Sequence, residues 1–215
     1  MAGCSDAYVA GHHSVAPGDV TTRGPASGYR PIGGPRGLEY PRRRPQEDGH
    51  ADPPMLYFAY GSNLNPDEMR QRCPSHRVVG MAALADHRLA FPRNSETWGG
   101  GTAGLEHAHG ETVWGMVYEL GDEDLASLDA FEGFKEPGSQ HNLYDRELTT
   151  VDLRRPDDGS VPRRVRASAY FARPSNPSPP GRRYLETILA GARHHRLPEE
   201  YIERLAAIPT AAETT

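Results

Sequence analysis

The chain has 215 residues, a quarter of them charged, and a formal net charge of −5 at pH 7. That balance argues against an electrostatic grip on nucleic-acid phosphates. No apolar run approaches the roughly 18 residues that cross a bilayer, and the first residues lack the charged-then-apolar layout of a secretory signal. Cys4 and Cys73 are the only cysteines, which argues against a disulfide framework and suits a reducing cytoplasm, the expected location.

Residues 1–54 carry eight prolines and nine glycines, with six arginines balanced by six acidic residues. Roughly a third Pro and Gly without a period is a low-complexity composition. No window there has the apolar spacing of a helix or strand, so the segment cannot bury enough apolar surface to offset the entropy of ordering it. It is predicted to be a disordered, dispensable tail, with Arg42-Arg43-Arg44 a solvated charge cluster and Met55 a candidate start of translation. The ordered domain is placed at 55–210, followed by a short tail at 211–215.

From Met55 the texture changes. Met55-Leu56-Tyr57-Phe58-Ala59-Tyr60, closed by Gly61-Ser62-Asn63, has the profile of a buried strand running into a tight loop. Asn65-Pro66-Asp67-Glu68 supplies an N-cap, a proline at the first helical position and early acids, so a helix is expected to about residue 73. Strands are expected at 78–84, 88–91, 102–105 and 113–120, the last of them central because it is apolar on both faces. A helix over 122–131 is stopped by Gly133. Strands return at 144–153 and 165–171, a proline-stiffened loop covers 174–181, and helices at 184–194 and 198–207 close the chain. Strands outnumber helices and are often neighbours in sequence, which predicts an α+β fold: a mixed, barrel-like sheet with flanking helices.

Within this frame Leu125, Leu128 and Glu132 stand at i, i+3 and i+7 on one helix face. The carboxylate therefore projects along a buried stripe. Burial without a cationic partner raises a carboxyl pKa toward neutrality, where a general acid or base operates. The helix C-terminus is also an unfavourable place for negative charge. A charge set against two local rules points to function; the alternative is a side chain that rims the helix end and meets solvent. The loop Tyr60-Gly61-Ser62-Asn63-Leu64 can present successive backbone N–H groups to a carboxylate or an oxyanion, or it is an ordinary strand-to-helix turn.

Taken together, Tyr57-Phe58-Ala59-Tyr60-Gly61-Ser62-Asn63-Leu64 and Leu128-Asp129-Ala130-Phe131-Glu132-Gly133 resemble the gamma-glutamylcyclotransferase family. Ser95-Glu96-Thr97-Trp98-Gly99-Gly100, Val113-Trp114-Gly115, Pro177-Ser178-Pro179, Tyr184, Gly191-Ala192 and Leu197-Pro198-Glu199-Glu200-Tyr201 extend the resemblance, in family order, over most of 55–208. The tail has no counterpart. The resemblance implies a gamma-glutamyl cyclotransferase-like barrel with flanking helices, Glu132 as catalytic acid/base, and a pocket for the glutamyl group formed by Tyr57, Phe58, Ala59, Tyr60, Gly61 and Ser62, with Asn63 beside it. It implies that Tyr184 closes the pocket, and Tyr144 is a further candidate wall. One departure bears on Tyr184: the connector before it carries Pro180-Gly181-Arg182-Arg183 and reads as longer than the family's.

The implied reaction converts a gamma-glutamyl amino acid or amide to 5-oxoproline and a free amine. The substrate's own α-amine is the nucleophile, so no cofactor or metal is expected and a small-molecule gamma-glutamyl compound is the expected partner. A homodimer is left open. The leaving group is open too: an amino acid, an amine, or a biosynthetic intermediate under a gamma-glutamyl cap. Two other classes compete, a non-catalytic binding module and a Ser62-dependent amidohydrolase; against the latter, Y-G-S-N-L lacks the G-x-S-x-G elbow. The G-x-G-x-x-G letters at 99–104 precede a strand where a dinucleotide site needs a helix. Cys73-Pro74-Ser75-His76 and His107/His109 lack a second pair at zinc spacing.

A chain beginning at Met55 is expected to be soluble and to keep the full chain's activity; an insoluble or inactive product contradicts a dispensable tail.

Overall fold

The computed structural model describes residues 55–154 and 161–212. The expected tail at 1–54, Cys4, and residues 213–215 lie outside the described residues, as do 155–160.

The first strand, β1 (Met55–Ala59), buries Tyr57, Phe58 and Ala59. It leads through a 3-10 turn, Ser62–Leu64, into α1 (Pro66–Arg72). Asn65 caps α1, its side chain accepting from the Asp67 N–H at 2.9 Å, with Pro66 in the first turn, where a missing N–H costs nothing.

The next two strands, β2 (Arg77–Ser95) and β3 (Gly100–Leu120), form one long antiparallel ribbon. The four strands expected from sequence over this span are therefore two. Asp86 and Pro92 interrupt the apolar pattern, but each falls at a register shift, between Ala85 and His87 and between Ala90 and Arg93. Asp86 takes φ 55° there. Bulges absorb residues that a regular strand rejects and sharpen its bend.

The sheet closes as a barrel in the order β1-β3-β2-β4-β5, with β4 (Tyr144–Arg154) and β5 (Arg163–Ala172). All neighbours are antiparallel except β1 and β5, which pair in parallel with Tyr57 opposite Ser168. The segment expected to be central is so: Val117 lies opposite Phe58 on one side and Gly80 on the other. Phe58, Leu64, Val113, Val117, Leu120 and Val151 are almost fully buried, each stabilising the fold by roughly 1.5–3 kcal/mol.

Three helices complete the domain: α2 (Asp122–Phe131), α3 (Arg182–His194) and α4 (Glu199–Ala206). Asp122, Glu123 and Asp124 in the first turn of α2 suit the positive end of its dipole. Tyr184, Leu185, Ile188 and Ala192 form the buried face of α3. Among the described residues no helix is long and apolar enough to cross a membrane.

The element that fixes the position of the loop after β1 is Gly191. A Cβ on it would lie 2.3 Å from the Leu64 carbonyl carbon and 2.5 Å from Asn65 N. The helix backbone thus rests directly on the 3-10 turn, and any side chain would push the two apart. Gly191→Ala is expected to lower stability by about 1–3 kcal/mol in a denaturant titration; an unchanged midpoint would show that the turn is free to move.

Candidate active site

Helix α2 ends in a Schellman turn. Gly133 N–H donates to the Ala130 carbonyl at 3.3 Å and Phe134 N–H to that of Asp129 at 2.9 Å. Gly133 adopts φ 64°, a conformation open to glycine at little cost. This turn sets Glu132 as the C-cap, one turn beyond buried Leu128. Two further bonds pin the helix to the barrel: Tyr170 Oη donates to Asp129 Oδ1 and Arg146 Nη1 to Oδ2, both at 2.7 Å. Burial raises the Asp129 pKa despite these partners.

The Glu132 carboxylate meets the loop after β1. Asn63 Nδ2 donates to Glu132 Oε1 at 3.0 Å and to Tyr57 Oη at 2.7 Å. Glu132 keeps partial exposure as a residue, while its carboxyl is crowded by protein atoms. Burial lifts its pKa from 4.5 to about 7, against the opposing pull of the Arg72 charge and the Asn63 hydrogen bond. The expectation of burial without a cation is corrected on one point: Arg72 is near, and desolvation outweighs it.

The rest of the loop is held from behind. Arg72 Nη1 donates to Ser62 Oγ at 2.9 Å and to Asn63 Oδ1, while Nη2 pairs with Glu68. Phe131 covers the guanidinium, its ring centroid 3.7 Å from Cζ. The turn's internal bonds run from Leu64 N–H to Gly61 and from Asn65 N–H to Ser62, so they use neither the Ser62 nor the Asn63 amide.

Opposite lies the backbone of Ala103 on β3. Its N–H donates to Tyr184 Oη at 3.0 Å, and its carbonyl accepts from Tyr144 Oη at 3.2 Å. One peptide edge thus gathers both tyrosines. A Cβ on Gly61 would lie 3.3 Å from Tyr184 Oη, which places the phenol directly against the loop. Burial pushes the Tyr184 phenol up to about 12, and raises those of Tyr57, Tyr60 and Tyr144 above their usual range. These hydroxyls are neutral at physiological pH.

The structure therefore brings together Tyr57, Asn63 and Glu132, and sets Gly61, Tyr144 and Tyr184 around them. Tyr60 Oη donates to the Tyr170 carbonyl. Phe58 and Ala59 are both fully buried; alternation turns Phe58 away from the face of Tyr57, and its ring lies 6.2 Å from that of Tyr60. Arg72, Asp129, Tyr170 and Ala103 were not singled out as site residues from sequence.

Residues 93–102 and 174–183 are zipped together beside Tyr184. Asn94 N–H donates to the Ser175 carbonyl at 3.0 Å and Gly101 N–H to that of Pro179 at 2.9 Å. A Cβ on Gly101 would lie 2.1 Å from Ser178 O, so this glycine run serves chain-to-chain contact. Trp98 lies 4.9 Å from the Tyr184 ring, and Arg183 stacks on Trp98 at 5.5 Å. Among the described residues no three His, Cys, Asp or Glu side chains form a metal-ligand group.

Comparison with known proteins points to one family. Residues 57–188 match the family model described as gamma-glutamyl cyclotransferase, AIG2-like. The gamma-glutamylcyclotransferase of Homo sapiens is 32% identical over 158 residues, covering 72% of this chain and 78% of the human protein. That of Mus musculus is 32% identical over 168 residues, covering 75% and 84%. A solved gamma-glutamyl cyclotransferase structure is 32% identical with TM-score 0.66, covering 75% of this chain and 91% of that one. The chain belongs to the gamma-glutamyl cyclotransferase family of enzymes.

Proposed function

We propose that the chain converts a gamma-glutamyl amino acid or amide to 5-oxoproline and a free amine, with Glu132 moving the proton. The observation that carries this reading is the Glu132 carboxyl: desolvated, poised at about 7 and hydrogen-bonded to Asn63. Near neutral pH such a group is present in both protonation states, which a residue that first takes and then returns a proton requires.

The substrate supplies its own nucleophile. Folding the glutamyl group so that its α-nitrogen meets the γ-carbonyl carbon captures much of the rate as effective molarity. Ionised Glu132 takes a proton from the α-ammonium, the new N–C bond forms, and the carbonyl oxygen gains negative charge. The Ser62 and Asn63 amides, which the turn's own bonds do not use, are suited to hold that oxyanion or the substrate carboxylate. Protonated Glu132 then gives its proton to the leaving nitrogen as the original C–N bond breaks, and the ring nitrogen releases its remaining extra proton to the departing amine or to water, giving neutral 5-oxoproline. Tyr144 and Tyr184, neutral and directed at Ala103, wall the pocket. Amino acids, amines and capped biosynthetic intermediates share the glutamyl head, and residues 93–102 and 174–183 are placed to select among them.

Ser62 does not favour the amidohydrolase reading. Its Oγ accepts from the Arg72 guanidinium, a group that cannot serve as a base. Incubation with gamma-glutamyl-alanine is expected to release 5-oxoproline; release of glutamate instead would identify hydrolysis, and no product would favour a binding module.

Glu132→Gln is expected to remove turnover, leaving at most a few per cent, while substrate binding by calorimetry persists. The same variant has a stability signature. The folded pKa is about 7 against an ordinary 4.5, so the folded state holds the extra proton and loses stability as pH rises from about 4.5 through 7. Gln carries no such proton. The melting temperature of Glu132→Gln relative to wild type is therefore expected to rise across that window; a gap independent of pH contradicts the raised pKa.

A further inference from the structure

We propose that Arg72 is a positioning residue: by holding the Asn63 side-chain carbonyl, its guanidinium fixes which end of that amide meets Tyr57 and Glu132. The role rests on the proposed function only where it concerns turnover.

The two ends of a carboxamide have nearly the same shape and opposite hydrogen-bonding character. Left to itself, Asn63 could turn either end to Glu132. Arginine has donors and no acceptor, so only Oδ1 can face it. Arg72 Nη1 donates to Asn63 Oδ1, and both Nδ2 hydrogens are thereby committed, one to Tyr57 Oη at 2.7 Å and one to Glu132 Oε1 at 3.0 Å. Were the amide reversed, its oxygen would face the carboxylate, acceptor against acceptor.

The guanidinium is itself held in place. Its side chain is 6% exposed, Glu68 takes Nη2, Phe131 lies over it, and Ser127 Oγ donates to the Arg72 carbonyl at 2.8 Å. Phe131 is half exposed, an unfavourable state for a phenyl ring that its cover of the guanidinium explains. The phenyl and Ser127 both belong to α2, as does Glu132 by its cap. Arg72 therefore ties the loop after β1 to the helix that presents the carboxylate.

Glu132 faces Arg72 from α1, the Asn63 amide, the Tyr57 phenol from β1 and the Tyr60 phenol just after it. From the other elements it faces the Cys73 thiol and the phenols of Tyr144, Tyr170 and Tyr184. Burial holds every one of these acids above its usual range, so they are neutral. Arg72 is the one ion facing Glu132 among them.

The test is a mutant cycle with Arg72→Gln, Asn63→Ala and both together, reading kcat for 5-oxoproline release from gamma-glutamyl-alanine and the 13C-NMR titration of the Glu132 carboxyl. Each single change is expected to lower kcat about 100-fold, the cost of a misplacement near 1 Å, and to move the titration to higher pH. The double variant is expected to lose no more than the worse single, because one residue acts through the other, and Arg72→Lys, which restores a donor to Oδ1, should recover part of the loss. Additive losses, or an unmoved titration in Asn63→Ala, overturn the proposal. If Arg72→Gln does not fold, Arg72→Lys decides: it keeps the charge and a donor for Oδ1, so its titration must stay closer to wild type than that of Asn63→Ala, and a shift as large as that of Asn63→Ala overturns the proposal. Absence of 5-oxoproline from wild type would sink the proposed function, while the carboxyl titration would still decide the role of Arg72.

Discussion

The hydrogen bond from Asn63 Nδ2 to Glu132 Oε1 joins two segments 69 residues apart: the turn after the first strand and the end of α2. For it to form at 3.0 Å, the barrel must close so that β1 lies beside β3 and β5. Helix α3 must come down on the turn at Gly191, and α2 must be anchored through Asp129 to Tyr170 and Arg146. The Schellman turn at Gly133 then carries the chain away, leaving Glu132 at the helix end. Each arrangement is a packing feature with no chemistry of its own. Their joint result is a carboxyl group set against an amide donor.

The placement is costly. A carboxylate at a helix C-terminus opposes the dipole, and crowding by protein removes its water. A fold optimised for stability alone would carry a neutral side chain here, which is the usual tension between a poised group and a stable one. Arg72 and Asn63 offset part of the cost without pulling the carboxyl back to its ordinary range. A stronger partner would spoil the site: an arginine paired face to face with Glu132 would hold it ionised and leave no proton to return. Arg72 engages Glu68, Ser62 and Asn63, with Asn63 standing between the charge and the carboxylate.

Much of this was legible in the sequence, for reasons that can be named. The α2 boundaries follow from acids at its start and Gly133 at its end. The inward projection of Glu132 follows from helical spacing after Leu125 and Leu128. The loop after β1 announced itself by small residues between an apolar run and the Asn65-Pro66 cap. Arg72 was hidden because an arginine in the last turn of a short helix reads as a solvated, dipole-favoured base; its burial comes from Phe131 and Ser127, more than fifty residues on. The pairing of Tyr144 with Tyr184 was invisible because it runs through β3, where Tyr144 donates to Thr102 Oγ1 and the Ala103 carbonyl and Tyr184 accepts from the Ala103 N–H, and backbone partners carry no side-chain signal. The long ribbon was broken in reading at Asp86 and Pro92, since bulges depend on the partner strand.

The most direct test of a proton-shuttling Glu132 is the pH dependence of kcat/KM for 5-oxoproline formation from gamma-glutamyl-alanine. A buried carboxyl acting as base requires activity to rise with pH along a limb centred near 7, in step with its ionisation. A profile already flat above pH 5 would mean that the group in control has an ordinary carboxylate pKa, and would contradict a desolvated Glu132 at the centre of the reaction.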